Sequence, residues 1–273
     1  MKVSSGIKFI PIAIAALAVG TMSYNTIKFD AHAENNIPAS EYNNIKPMNE
    51  DGIPMVETTP DSYLVLVNRD YALPKDYIPS DLVTVDIPFI YEDSDNMEKT
   101  QLRSTAAAAI VNLAADAKEE GLDLYGVSGF RSYERQAVIY DEKVAKSGEK
   151  EADKYSARPG YSEHQTGLAI DVSTGCIGYR LLETFANTNE GKWLAENAHN
   201  YGFVIRYPED KTEITGYAYE PWHLRYVGIE LAGYLAKNHL TLEEYYGQKV
   251  SASSQTPSSS DVLFDSITPE SVQ

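Results

Sequence analysis

Two histidines and two carboxylates stand out as residues that could do chemistry together. His164 and Asp171 lie seven residues apart, and His223 follows later in the chain with Glu220 three residues before it. Zinc in catalytic sites takes three ligands from His, Asp or Glu and leaves a fourth position for water. His164, Asp171 and His223 could supply that set. Glu220 could then act as the general base that takes the proton of the water.

The first two candidates need a turn between them. A gap of seven residues does not suit one face of a helix, but Gly167 could turn the chain so that His164 folds over Asp171. The segment Leu168–Val172 is predicted as a short strand with its apolar side chains on one face and Asp171 on the other. A histidine and an aspartate at this spacing are commonly unrelated, so the spacing alone is weak evidence for a metal site.

The second pair also depends on local geometry. Positions 220 and 223 of a regular strand face opposite sides, and Pro221 favours a bulge or bend that brings both side chains to one site. A structural alternative stays open at this point. Glu220 could instead be a buried carboxylate that pairs with Arg225 or Arg206.

The remaining histidines and the single cysteine are weaker candidates for a catalytic or metal-binding role. His199 lies on a predicted helix and His239 near the end of another, and both are expected at the surface. His32 belongs to the N-terminal segment. Cys176 is the only cysteine, so the chain can form neither an intramolecular disulfide nor a zinc site of four cysteines. We interpret Cys176 as a small apolar residue rather than a nucleophile, because no histidine near it in the sequence could activate it.

The elements that must position these residues alternate without a regular βαβ rhythm. This pattern predicts an α+β fold with a mainly antiparallel sheet flanked by helices, rather than a doubly wound fold. Ser132 is predicted to cap the second helix and Gly148 to end it. The predicted helices are Thr105–Glu120, Tyr133–Lys146, Asn189–Tyr201 and Gly228–Lys237, and the predicted strands include Tyr63–Val67, Leu168–Val172, Phe203–Tyr207 and Trp222–Tyr226.

The N-terminus has the pattern of an export segment. Two lysines precede an uncharged, mostly apolar run from Phe9 to Met22, and Ala31-His32-Ala33 resembles a small-residue cleavage site. The run is shorter than the roughly 20 residues that cross a bilayer as a helix, which favours cleavage over retention as an anchor. We predict a signal peptide or N-terminal membrane anchor at 1–33, a linker at 34–61, one domain at 62–247 and a disordered tail at 248–273.

Composition and charge narrow the function classes. The 273 residues are 43% hydrophobic and 23% charged, which is ordinary for a globular protein. The formal charge of −17 would repel phosphate backbones and anionic lipid, so nucleic acid is not an expected partner. Contact with a membrane is expected only through the N-terminal segment, if that segment is not cleaved.

Several ordered motifs together resemble a known family. The chain is similar to the VanY-type D-alanyl-D-alanine carboxypeptidases, which are zinc metallopeptidases of peptidase family M15, subfamily B. The resemblance rests on motifs spread over much of the chain: Leu64-Val65-Leu66-Val67-Asn68, Ser128-Gly129-Phe130-Arg131-Ser132, the segment Ser162 to Asp171, Tyr201-Gly202-Phe203 with Tyr207-Pro208, and Glu220-Pro221-Trp222-His223. No motif residue departs from the family pattern.

The resemblance implies a fold and a set of site residues. The fold would be the α+β fold that D-alanyl-D-alanine metallopeptidases share with the Hedgehog signalling domain. Arg131 would stabilise the oxyanion on the attacked carbonyl or bind a substrate carboxylate, and both roles stay open. The implied set is one Zn²⁺ ion, the ligands His164, Asp171 and His223, the catalytic residues Glu220 and Arg131, and the substrate-contacting residues Gln136, Ser162 and Trp222.

The implied function is removal of the C-terminal D-alanine from peptidoglycan stem peptides through attack by a zinc-activated water. Whether the activity is D,D- or L,D-carboxypeptidase is left open by the sequence. The expected location is extracellular, either secreted or anchored facing the cell wall. Two other classes remain: a peptidoglycan endopeptidase, and a wall-binding module that keeps zinc but has lost catalysis. The presence of Glu220 and Arg131 argues against the non-catalytic wall-binding module.

Overall fold

A four-stranded antiparallel sheet carries most of the predicted site residues. Its strands are β3 (Tyr125–Ser128), β4 (Ala169–Ser173), β5 (Phe203–Tyr207) and β6 (Glu220–Tyr226), and their order in the sheet is β3-β4-β6-β5. All three pairings are antiparallel. A second sheet of two strands pairs β1 (Leu82–Thr84) with β2 (Gln101–Arg103). The predicted α+β class with a mainly antiparallel sheet is confirmed.

The protein is described by a computed structural model that covers residues 49, 52–91 and 94–248. The predicted signal peptide or anchor, most of the predicted linker and nearly all of the predicted tail lie outside the described residues. Among the described residues, no helix has the length and apolar character needed to cross a membrane.

The described residues also form seven α-helices and six 3-10 segments. The α-helices are α1 (Ser104–Glu119), α2 (Tyr133–Ser147), α3 (Glu149–Tyr155), α4 (Asn189–Asn197), α5 (Thr212–Thr215), α6 (Ile229–Asn238) and α7 (Leu242–Tyr245). The 3-10 segments are Ser94–Thr100, Glu163–Thr166, Gly175–Ile177, Glu183–Asn187, Ala198–Tyr201 and Glu209–Lys211.

Local sequence signals explain where α2 begins and ends. The hydroxyl of Ser132 accepts a hydrogen bond from the backbone N–H of Arg135 at 3.3 Å, as an N-cap residue does. At the other end Gly148 has a φ of 83°, a conformation that costs little only without a Cβ. These two residues bound α2 as predicted. They therefore fix the position of Gln136, which faces inward from its first turn.

The sheet buries one face against α1 and α4. Ile170 and Val172 of β4 belong to the main hydrophobic cluster with Leu224 of β6 and Leu113 of α1. The apolar alternation predicted for β4 is therefore present, and Asp171 lies on the opposite face. One face of the sheet is thus packed in the core, and the other is left for polar side chains.

The predicted strand Tyr63–Val67 is wrong. These residues have no strand partner, although Leu64 to Val67 are all buried. Their backbone groups bond elsewhere: the Leu66 N–H donates to the Glu57 carbonyl at 2.9 Å, and the Val65 carbonyl accepts from Arg225 Nη2 at 2.7 Å. Leu64 and Leu66 pack against α6 and α7, whereas Val65 and Val67 pack with Leu73 in a separate cluster. The apolar run is therefore buried without extending a sheet.

Packing contacts begin before the predicted start of the domain at residue 62. Val56 packs against the second hydrophobic cluster, which Leu64 and Leu66 form with residues of α6 and α7. The segment between Gly52 and Asp61 is therefore in contact with the domain.

Candidate metal centre and active site

Three side chains proposed as ligands meet on the polar face of the sheet. Asp171 on β4 and His223 on β6 are paired directly across the two strands, so their side chains are neighbours. His164 lies on the 3-10 turn Glu163–Thr166, and Gly167 then turns the chain into β4 with a φ of 66°. One ligand atom from each of the three residues can be chosen so that all lie within 4.8 Å of one another.

The distances within this cluster suit a single ion. His164 Nε2 lies 3.3 Å from Asp171 Oδ2, and His223 Nδ1 lies 3.1 Å from Asp171 Oδ1. Donors around a tetrahedral ion with bonds of about 2.0–2.2 Å are about 3.4 Å apart. Each of the three residues is 4% exposed. The cluster is therefore buried and has the dimensions of a zinc site.

The buried polar atoms also fit a cation. Asp171 Oδ1 has no hydrogen-bond partner among the described residues, although burial of an unpaired carboxylate oxygen is costly. Burial by itself would raise the pKa of Asp171, but His164 and His223 hold it well below its usual range. Asp171 is therefore ionised, and two imidazole nitrogens with one carboxylate form the donor set of catalytic zinc.

A backbone carbonyl orients His164. The Gly129 carbonyl lies 2.7 Å from His164 Nδ1, so this nitrogen carries the proton and Nε2 is left to face Asp171. Burial lowers the pKa of His164, and the positive charge of Arg131 acts in the same direction. A neutral imidazole is the form that binds a metal.

Glu220 lies beside His223 of this cluster. Its Oε2 lies 3.6 Å from His223 Nδ1. The pairing of β5 with β6 is irregular between Ile205 and Tyr207, which is the bulge that the sequence around Pro221 indicates. Burial raises the pKa of Glu220 to about 7, and His223 opposes the rise. A position beside the proposed ligands and a raised proton affinity are what a general base requires, and the role of Glu220 stays a prediction.

Arg131 is fixed next to His164 by three contacts. Its Nη1 donates to Gln136 Oε1 at 2.9 Å and its Nη2 to Ser128 Oγ at 3.1 Å. Its backbone N–H donates to the His164 carbonyl at 3.2 Å. Gln136 is 1% exposed and donates in turn to the Ala157 carbonyl at 2.6 Å. Gln136 therefore holds the guanidinium, whatever contact it makes with a substrate.

Ser162 and Trp222 are placed less directly. Ser162 is buried and precedes the turn that carries His164, but its hydroxyl does not cap that turn. Trp222 is 3% exposed and belongs to the main hydrophobic cluster, on the far side of β6 from His223. Most of its surface therefore packs in the core. The substrate-contacting roles of both residues stay predictions.

Comparison with known proteins gives the family. The model of the VanY family, described as D-alanyl-D-alanine carboxypeptidase, matches residues 99–229. The chain is 47% identical over 215 residues to the putative carboxypeptidase YodJ of Bacillus subtilis (strain 168). The aligned region covers 79% of this chain and 77% of YodJ. The chain belongs to the VanY family.

Solved structures agree with this assignment. The LdcB LD-carboxypeptidase, whose structure concerns peptidoglycan recognition, matches with a TM-score of 0.67 and 47% identity over 75% of this chain and 94% of LdcB. A vancomycin resistance D,D-pentapeptidase VanY, solved as a point mutant in complex with Zn(II), matches with a TM-score of 0.52 and 37% identity over 67% and 98% of the two chains. The predictions of a VanY-type metallocarboxypeptidase and of zinc as its cofactor are confirmed.

The VanY match contains every residue that the sequence nominates for the site. It begins before Arg131 and ends after His223, and it includes β3, β4, β5 and β6. The helix α7 lies outside it. The hydrogen bonds from Arg206 to Glu243 of α7 therefore involve a residue outside the family match.

One buried ionic network was not predicted from the sequence. Glu163 Oε1 accepts hydrogen bonds from Arg206 Nε at 2.8 Å and from Arg225 Nη1 at 2.7 Å. The alternative in which Glu220 pairs with Arg225 or Arg206 is therefore wrong, because both arginines bind Glu163. Arg225 shares the face of β6 with His223, and Glu163 precedes His164. That proximity in sequence is the signal that could have revealed the network.

We expect Arg225→Leu to destabilise the fold strongly. Arg225 is fully buried and donates to Glu163 and to the carbonyls of Tyr63, Val65 and Tyr226. Its removal takes one of two cationic partners from the buried carboxylate of Glu163. It also takes a hydrogen-bond donor from the backbone carbonyls of Tyr63 and Val65. Removal of one partner of a buried ion pair costs about 3–5 kcal/mol. Urea unfolding of the wild type and the variant measures this cost.

The matched control is Lys118→Ala, which removes an ion pair with Asp123 that lies in solvent. Its effect on the unfolding midpoint should be far smaller, since exposed ion pairs contribute little. Equal midpoints for Arg225→Leu and the wild type would contradict a stabilising role for the network.

Proposed function

We propose that the protein removes the C-terminal D-alanine from peptidoglycan stem peptides, with His164, Asp171 and His223 as ligands of one zinc ion. The observation that carries the proposal is the buried cluster of two imidazole nitrogens and one carboxylate, with a second carboxylate beside it. Membership of the VanY family supplies the reaction class. The protein would act outside the cytoplasmic membrane, where its substrate lies.

A zinc ion held by His164, Asp171 and His223 would act as a Lewis acid, which would polarise the scissile carbonyl and lower the pKa of a water molecule. Glu220 Oε2 accepts a proton from the attacking water and passes it to the nitrogen of the departing D-alanine. The peptide C–N bond breaks, and one carboxyl group and one amine form. Glu220 returns to its ionised state, so the cycle consumes only water.

Arg131 supplies positive charge on the same side of the sheet. Gln136 Oε1 and Ser128 Oγ hold its guanidinium, so little side-chain freedom is lost when it contacts an anion. The guanidinium either stabilises the oxyanion that forms on the carbonyl or binds the terminal carboxylate of the substrate. Both roles require Arg131 to be charged and fixed, as it is here.

The test is mass spectrometry of defined tetrapeptide and pentapeptide stems after incubation with the protein. We expect the loss of a single C-terminal D-alanine in the zinc-loaded sample, no product after treatment with a chelator, and recovery when Zn²⁺ is added back. Shortening of the pentapeptide indicates D,D-activity, and shortening of the tetrapeptide indicates L,D-activity.

Two results of the same experiment would overturn the proposal. Fragments cut inside the stem would identify an endopeptidase. An intact stem in the presence of zinc would contradict catalysis and favour the alternative of a non-catalytic zinc-containing wall-binding module.

A further inference from the structure

A buried carboxylate faces the nitrogen of His223 that points away from the other proposed ligands. His223 Nε2 lies 3.6 Å from Glu163 Oε2, while Nδ1 of the same ring lies 3.1 Å from Asp171. Neither His223 Nε2 nor Glu163 Oε2 has a hydrogen-bond partner among the residues that the structure describes. The two atoms therefore face each other across a contact that is longer than a hydrogen bond.

The position of Glu163 is fixed by its other oxygen. Oε1 accepts from Arg206 and Arg225, and the Glu163 side chain is fully buried. Two arginines on one oxygen direct the second oxygen toward His223. Because Arg206 and Arg225 lie on neighbouring strands of the sheet, the carboxylate is held by the sheet itself.

The two proposed histidine ligands then have opposite proton positions. His164 faces the Gly129 carbonyl with Nδ1 and has Nε2 free for a metal. His223 faces Glu163 with Nε2 and has Nδ1 free. A neutral imidazole carries one proton, and the hydrogen bond at one nitrogen decides which nitrogen offers a lone pair.

We propose that Glu163 is a positioning residue for zinc, which holds the proton of His223 on Nε2 so that Nδ1 presents its lone pair beside Asp171 and His164. The proposal rests on the ligand set given under Proposed function. Carboxylates behind a metal-binding histidine raise its basicity and fix its orientation, and their removal typically lowers metal affinity about 10- to 100-fold.

The network offers a matched control in Glu243 of α7. Glu243 accepts from Arg206 Nη1 at 2.8 Å and Nη2 at 2.5 Å and is fully buried, as Glu163 is. It also accepts from Asn68 at 3.1 Å. Among the described residues, no hydrogen bond or ion pair joins Glu243 to His223. Loss of either carboxylate disturbs the same arginine, but only loss of Glu163 removes the partner of His223.

The substitution Glu163→Gln should replace the carboxylate oxygen that faces His223 Nε2 with a hydrogen-bond donor. Arg206 and Arg225 can only donate, so the amide oxygen of the glutamine must face them. The amide NH₂ then faces His223 Nε2 and favours the ring form with its proton on Nδ1. That form offers no lone pair at Nδ1. We expect zinc affinity to fall about 10- to 100-fold.

The experiment compares zinc dissociation constants of the wild type, Glu163→Gln and Glu243→Gln by competition with a chromophoric chelator. Urea unfolding of the metal-free proteins measures the loss of stability of each variant. We expect both variants to lose stability and Glu163→Gln alone to lose zinc affinity. Wild-type affinity in Glu163→Gln, or an equal loss in Glu243→Gln, would overturn the proposal.

A second measurement uses the wild type and does not depend on the folding of a variant. Long-range ¹H–¹⁵N correlation spectra of the zinc-loaded protein report which nitrogen of each histidine carries the proton. We expect the proton on Nε2 for His223 and on Nδ1 for His164. A proton on His223 Nδ1 would refute the role of Glu163. Neither readout needs turnover, so failure of the stem-peptide assay is distinguishable from failure of this inference.

Discussion

Glu220→Gln is expected to lower the rate of D-alanine release by about 10²- to 10⁴-fold while the protein keeps its zinc, because that is the range of general acid–base catalysis by a positioned side chain. The amide has nearly the same shape as the carboxylate but cannot accept a proton from water. Rates with a saturating stem peptide give kcat, and metal analysis of the same sample gives the zinc content.

The environment of Glu220 supports a large effect. Burial raises the pKa of Glu220 to about 7, so the carboxylate binds a proton far more readily than an exposed glutamate does. The group must be ionised to act as a base, so wild-type activity should fall as the pH decreases through this pKa. The positive charge of a bound cation lowers the pKa, which places the acid limb of the profile at or below that value.

A surface substitution separates this effect from a general loss of carboxylate charge. Glu213 is exposed on α5, and Glu213→Gln should keep wild-type kcat and zinc content. Glu220→Gln with full activity would exclude Glu220 as the base. Loss of zinc in Glu220→Gln would show instead that Glu220 helps to hold the metal.

The sequence predicted the elements whose signals are local. Ser132 caps the start of α2 and Gly148 ends it, and both signals lie next to the helix in the sequence. The alternation of apolar residues around Asp171 placed that carboxylate on the face opposite the core. Capping and alternation each involve residues a few positions apart, so they can be read without knowledge of the fold.

The errors concern residues whose partners lie far away in sequence. The run Tyr63–Val67 has the composition of a strand, but its carbonyls accept from Arg225, and no local signal announces that contact. The sequence also left open a pairing of Glu220 with Arg225 or Arg206, whereas both arginines bind Glu163. Buried ion pairs depend on strand register, which spacing alone does not give.

The spacing of the site residues in the sequence was not enough to predict that they cluster. Asp171 and His223 are direct neighbours across β4 and β6, but nothing in the gap between them in sequence specifies that these strands pair. The resemblance to the VanY-type enzymes supplied the expectation that they meet. The geometry then explains it, because a non-local strand pairing places both side chains on the polar face.

His164→Ala and His223→Ala are each expected to lower zinc affinity by more than the roughly 100-fold that loss of an outer partner can cause. Each substitution removes one of the three proposed protein ligands and leaves Asp171 with a single histidine. Equilibrium dialysis against Zn²⁺ should give well under one ion per chain at concentrations that saturate the wild type. D-alanine release should be lost in parallel.

Thermal unfolding with and without Zn²⁺ separates loss of the ligand from loss of the fold. Zinc at about 100 times its dissociation constant stabilises a protein that binds it by about 2.7 kcal/mol, so the wild type should unfold at a higher temperature with zinc than without it. Both ligand variants should keep a cooperative transition that zinc no longer moves. His199, which lies on the 3-10 turn Ala198–Tyr201 and is absent from the metal cluster, provides the control. If His199→Ala abolished the zinc-dependent shift, or His223→Ala retained it, the ion would be held by other residues and the roles of Glu220 and Glu163 would have no basis.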